Sequence, residues 1–131
     1  MVALKEVMSR HFESVHPDAP ARDAFRLMSS LNLSMLPVRE DRRLVGMLSD
    51  VPASGEESAL RVRDVMSPDV LTGLEDQDVR ELIVVMRRRD IRTLPVLDAN
   101  QELVGVFTLG GPWKRSGGGP RRPASEGRVP P

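Results

Sequence analysis

Val7-Met8-Ser9 recurs as Val65-Met66-Ser67, and Leu36-Pro37-Val38 recurs as Leu94-Pro95-Val96, both at an offset of 58 residues. Met28 and Met86 keep that offset, and Leu44-Val45-Gly46 returns as Leu103-Val104-Gly105 at 59. Four blocks in the same order at a near-constant spacing make the chain an internal duplication. The one-residue insertion falls in the turn before the last block.

Both copies predict the same succession of elements. A short apolar stretch follows Val-Met-Ser, residues 12–15 in the first copy and 70–72 in the second, and reads as a strand. Asp18 and Asp76 are the expected helix N-caps, since a carboxylate accepts from free backbone N–H groups. The helices then present Ala21, Ala24, Phe25 and Met28, or Val79, Leu82, Ile83 and Met86, at the i, i+3, i+4, i+7 spacing of a one-sided apolar stripe. Leu36-Pro37-Val38 and residues 44–49 flank the polar turn 39–43 in a hairpin pattern, repeated around Asp98-Ala99-Asn100-Gln101. The fold class is α/β (α+β), two β-α-β-β units. A unit of about 58 residues buries only about 60% of its unfolded surface, so the two copies are expected to share a core about a pseudo-twofold axis. The expected repeats are 1–56 and 57–111, with a connector at 50–63 that makes a helical turn near 57–63.

Charge and composition narrow the function. Lys plus Arg equals Asp plus Glu at 19 each, which argues against a nucleic-acid binder of high net charge. The charge is uneven: residues 112–131 carry five basic side chains against Glu126, a net of +4, leaving −4 for the rest. Rich in Pro, Gly, Ser and Arg, that segment reads as a disordered tail. The absence of cysteine excludes structural disulfides, iron–sulfur clusters and thiolate zinc sites. No apolar run approaches the roughly 18 residues of a membrane helix and no signal-peptide pattern opens the chain, so a cytoplasmic protein is expected. His11 and His16, five residues apart near a strand, point to opposite faces and do not jointly hold a metal. With no nucleophile–base order and no Gly-rich phosphate loop, no catalytic residue is assigned and the chain is not expected to be an enzyme.

Arg87-Arg88-Arg89 closes the second helix, where cations complement the helix dipole in water. Leu82, Val84 and Val85 make that helix apolar on more than one side, while Arg26 stands at the position of Val84 in the first copy. Burial between the copies accounts for part of this face. A homodimer seam through Leu82, Val84 and Val85 is the expectation for the remainder.

The Val-Met-Ser lead-ins, the amphipathic helices ending in Met, the Leu-Pro-Val strands and the strand ends Gly46-Met47-Leu48-Ser49 and Gly105-Val106-Phe107-Thr108 resemble a tandem pair of cystathionine β-synthase (CBS) domains, a Bateman module. The resemblance covers roughly residues 4–111. It implies a pseudo-twofold CBS pair that acts as a stand-alone regulatory sensor for a separate effector protein, commonly as a homodimer. The implied ligand contains adenosine (AMP, ATP or S-adenosylmethionine) and lies in a cleft between the repeats. Carried over by position, the resemblance assigns the hydroxyls of Ser49 and Thr108 to phosphate or ribose. The residues before and within Leu-Pro-Val, namely Ser34, Met35 and Pro37 or Arg92, Thr93, Leu94 and Pro95, are assigned to phosphates and apolar contact. Ser14, Val70 and Thr72 in the first strand are assigned to adenine. The ribose carboxylate expected three residues after each hydroxyl is absent: Pro52 and Gly111 stand there. The cleft with Arg92, Thr93 and Thr108 is therefore the better nucleotide candidate. A ligand-free dimerisation scaffold with degenerate clefts is the alternative.

Overall fold

The computed structural model describes residues 1–49 and 60–110. The expected tail at 112–131 and most of the connector lie outside the described residues. The element order is α1 (Leu4–Val7), α2 (Ala21–Leu31), β1 (Met35–Glu40), β2 (Arg43–Ser49), α3 (Val62–Val65), β3 (Gly73–Leu74), α4 (Val79–Arg88), β4 (Thr93–Leu97) and β5 (Leu103–Thr108). Each long helix is followed by a hairpin, as the patterning predicts.

The helices bury the predicted stripe. Ala21, Ala24 and Met28 of α2 and Val79, Leu82 and Met86 of α4 are buried, with Phe25 and Ile83 half-buried at the margins. Each helix stops at an Asn or Asp in the left-handed region, Asn32 (φ 56°) and Asp90 (φ 57°). These two residue types tolerate that conformation best after glycine. The chain then turns back, and Leu33 N–H donates to Met28 O while Ile91 N–H donates to Met86 O, both at 2.8 Å. Two strand pairs follow, β1 with β2 and β4 with β5, both antiparallel and each bulged at the twofold-equivalent place, Val38/Arg39 and Val96/Leu97.

The two units exchange their lead-ins. Leu4 of α1 is fully buried among Val79, Leu82, Met86, Leu94 and Val96 of the second unit. Val62 of α3 is fully buried with Ala24, Met28, Leu36, Val38 and Leu48 of the first. The backbone bonds are reciprocal: Leu4 N–H donates to Gln77 O and Lys5 N–H to Glu75 O, while Val62 N–H donates to Ala19 O and Arg63 N–H to Pro17 O, all at 2.9 Å. Beyond the turn, Ser9 exchanges both backbone hydrogen bonds with Val106, and Ser67 does the same with Met47. Two glycines permit this approach. A Cβ on Gly46 would stand 2.9 Å from Ser67 O, and one on Gly105 would stand 3.0 Å from Ser9 O, with Met66 and Met8 closer still. At the far end of the sheets Arg43 bridges Glu102, positions that are themselves twofold mates.

Three expectations need correction. The first strand of each unit is shorter than predicted, and that of the second unit also lies later. Val15 makes a single parallel bridge to Val38, and its mate Gly73 opens the two-residue β3 on β4. Phe12 and Leu71 supply side chains to the cores instead of ladder bonds. Asp18 and Asp76 do not cap the helices. The N-caps are Pro20 and Asp78, and the first helical N–H groups, of Ala21 and Val79, donate to Leu60 O and Val2 O of the exchanged lead-ins. Asp18 instead accepts from Arg63 Nε at 2.8 Å, and Asp76 pairs with Lys5 Nζ at 2.8 Å. The hydrogen bond from Arg63 holds the Asp18 carboxyl below its ordinary range, and the one to Asp76 raises Lys5. Finally, the helical turn of the connector is α3, Val62–Val65, at the end of the expected stretch.

Among the described residues no helix is long and apolar enough to cross a membrane. Leu4→Ala is expected to cost about 2–5 kcal/mol, as for other fully buried leucines. Denaturant unfolding measures the loss. Amide exchange should show it in α4 and β4 of the second unit, and not in α2 and β1 beside it in sequence.

Candidate functional site

The exchange aligns the starts of β1 and β4 near the twofold axis, and between them lies a cavity of about 90 Å³. Asn32, Leu33, Ser34 and Met35 line it from the first unit and Arg92, Thr93 and Thr108 from the second. Both copies of the segment before Leu-Pro-Val therefore face one space. Pro37 and Pro95, both buried, sit one residue beyond the fully buried Leu36 and Leu94.

Thr93 is only 8% exposed and pairs across the sheet with Thr108. The Thr108 hydroxyl is buried and has no hydrogen-bond partner among the described residues. An unpartnered buried hydroxyl carries a desolvation cost of about 1–3 kcal/mol that a polar ligand would relieve. Arg92 is the charged residue of the lining, and its Nη2 donates to Leu109 O at 3.2 Å. Among the described residues that bond uses one of five guanidinium donors, a group suited to an anion. In the first unit the Ser49 hydroxyl donates instead to Met35 Sδ at 3.5 Å. Thr93, Thr108 and Arg92 thus make a hydroxyl-rich, cationic pocket of the size of a phosphate group. Pockets for drug-sized ligands begin at about 300 Å³, so a nucleoside would have to lie outside the cavity along the cleft.

Of the expected ligand residues, Ser34, Met35, Arg92, Thr93 and Thr108 meet at this cavity. Ser49 is exposed and linked to it through Met35. Leu94 is fully buried in the second core, which leaves only its main chain for contact. Ser14, Val70 and Thr72 are half-buried in the segments that lead to the first-strand pairing, and Pro37 and Pro95 are buried; none of these five lines the cavity. Asn32 and Leu33 were missed. Their signal was positional, since a helix-terminating Asn places the next residues at the mouth of the following strand. His11 and His16 are exposed, and His16 Nδ1 accepts from Asp18 N–H at 3.0 Å. Among the described residues no group of three His or carboxylate side chains could hold a metal ion.

The CBS domain family model matches the chain twice, over residues 4–51 and 62–110. The CBS domain-containing protein YhcV of Bacillus subtilis is 31% identical over 116 residues, covering 84% of this chain and 82% of that protein. Inosine-5'-monophosphate dehydrogenase of Thermoplasma acidophilum is 32% identical over 102 residues, 78% of this chain. The chain spans only 21% of that enzyme's length. Among solved structures, CBSX2 in complex with AMP superposes with a TM-score of 0.73 at 25% identity, covering 84% of this chain and 92% of that one.

Replacing Thr108 by Val removes the orphaned hydroxyl at nearly constant shape. Thr108→Val is expected to stabilise the free protein by about 1–3 kcal/mol. Thermal or denaturant unfolding without ligand measures it, and a loss of stability would show that the hydroxyl has a partner.

Proposed function

The chain belongs to the CBS-domain family as a tandem pair, and from that premise we propose that it is a regulatory module sensing an adenosine-containing ligand between its two repeats. AMP, ATP and S-adenosylmethionine are the candidates. The observation that carries the reading is the cavity with a buried, unpartnered Thr108 hydroxyl beside Thr93 and Arg92. Arg92 and Thr108 take the phosphate. The nucleoside extends toward the first-strand segments around Ser14, Val70 and Thr72, with Ser49 at the opposite strand end. The module works without chemistry of its own: its likeness to the dehydrogenase is confined to a fifth of that enzyme. Ligand binding shifts the packing of the halves by the ligand's differential affinity for their two arrangements, and a separate effector protein reads the shift. We take 1–56 and 57–111 as the repeats and the cytoplasm as the compartment.

The ribose carboxylates that the family uses are replaced by Pro52 and Gly111. A missing contact to a charged group forfeits about 1.5–3 kcal/mol, so binding about 10- to 150-fold weaker than at a carboxylate-bearing site is expected. This feature favours the second reading, a ligand-free dimerisation scaffold. Calorimetry with ATP and adenosine decides between them. Arg92→Ala should weaken ATP by about tenfold or more and leave adenosine nearly unchanged. Equal losses would remove Arg92 from the phosphate role, and no heat from AMP, ATP or S-adenosylmethionine would leave the scaffold.

We also propose that the module is a homodimer through α4. Leu82 is buried in its own unit's core and is not available to a partner. Val84, 49% exposed, and the half-buried Val85 carry the seam. Light scattering should show a dimer that Val84→Glu shifts toward monomer; a wild-type monomer at high micromolar concentration would refute the seam.

A further inference from the structure

Arg92 is held twice by one residue. The β4–β5 ladder ends at the pair Thr93–Thr108, and the next pair outward is Arg92 with Leu109. Leu109 N–H donates to Arg92 O at 2.9 Å, as a continued ladder would have it. The return bond has a different donor. In a hydrogen-bonded antiparallel pair it comes from the opposite main-chain N–H. Here Leu109 O accepts instead from Arg92 Nη2 at 3.2 Å. The guanidinium is thereby tied to the end of β5, beside the cavity that Arg92 lines with Thr93 and Thr108.

Gly110 makes room for this arrangement. Its φ of +92° lies in the left-handed region, where an L side chain is strained. A Cβ built on it would stand 2.9 Å from Arg92 Nη2. That nitrogen is the far end of a flexible side chain, so the guanidinium is the group that would move. The first copy carries Ser34 and Val51 at the places of Arg92 and Gly110, and so has neither the cation nor the glycine.

We infer that Gly110 is a positioning residue for phosphate recognition: without touching the ligand, it lets the Leu109 carbonyl hold the Arg92 guanidinium at the cavity. On the nucleotide reading above, on which this role rests, the consequence is selection by phosphate. A guanidinium held in place beforehand gives up less rotamer freedom when a phosphate arrives, which favours ATP and AMP over the bare nucleoside.

Isothermal titration of the full chain with ATP and with adenosine provides the test, on wild type, Gly110→Ala, Arg92→Ala and the double variant. Gly110→Ala should weaken ATP by about three- to tenfold and leave adenosine within about twofold. In the Arg92→Ala background the same substitution should change ATP affinity by less than about twofold, because no guanidinium is left to displace. A glycine needed only for the fold would weaken both ligands in both backgrounds, and that outcome would overturn the inference while leaving the nucleotide reading intact. Unchanged ATP affinity in Gly110→Ala would do the same. If circular dichroism shows that Gly110→Ala does not fold, Gly110→Asn takes its place with the same pattern expected, since asparagine tolerates positive φ and still adds a Cβ. No heat from ATP in the wild type would overturn the reading and the inference together.

Discussion

The reciprocal burial of Leu4 and Val62 is the constraint on which the other features depend. Each hydrophobic core contains a side chain from the lead-in of the other unit, and each helix start donates its first N–H to that lead-in. A unit removed from its partner would lose a fully buried aliphatic residue and leave backbone donors without acceptors. Both losses are costly in a body of this size, where a small core leaves little stability to spare. The pairs Lys5–Asp76 and Arg63–Asp18 lie over the same crossings, exposed to water. They orient the contact more than they stabilise it, because surface ion pairs are screened by solvent.

This exchange also sets where ligand chemistry can occur. With lead-ins crossing over Gly46 and Gly105, the hairpins are held with the beginnings of β1 and β4 together, and the polar residues before each Leu-Pro-Val become neighbours. Among the described residues the cavity belongs to both units together. The lining needs Asn32 to Met35 from one and Arg92, Thr93 and Thr108 from the other. Any change in how the units pack would therefore reshape the cavity, which is the physical requirement for a ligand to report through the fold.

Helices and hairpins were legible because their signals are local and periodic. The apolar stripes at 21–28 and 79–86 match the buried faces, and Asn-Gln and Asp-Arg turns mark the hairpin tips. The first strands were overestimated, and the second displaced, because an apolar run of three or four residues does not say whether its backbone pairs or only its side chains pack. Asp18 and Asp76 were misread for a related reason. Their spacing before the helices suits a cap, but their partners Arg63 and Lys5 are equally fixed at an offset of 58, and only the crossing brings them into reach. Leu82 looked available to a dimer because its helix is apolar on several sides; Leu4 from the other unit covers it.

By itself, then, the order of residues determined the duplication and the long helix and hairpin of each copy, since these follow from repeat spacing and from short-range hydrophobic periods, and the motifs it repeats carried the resemblance to the family. The tertiary structure alone decided which lead-in fills which core, and that the pre-strand segments of both copies share one cavity with an orphaned Thr108 hydroxyl. The physical reason is that a repeat specifies two equal sets of complementary surfaces without specifying whether they close within a unit or between units. That choice depends on which arrangement buries Leu4 and Val62 while satisfying the backbone of the helix starts, a property of the whole molecule and of no segment.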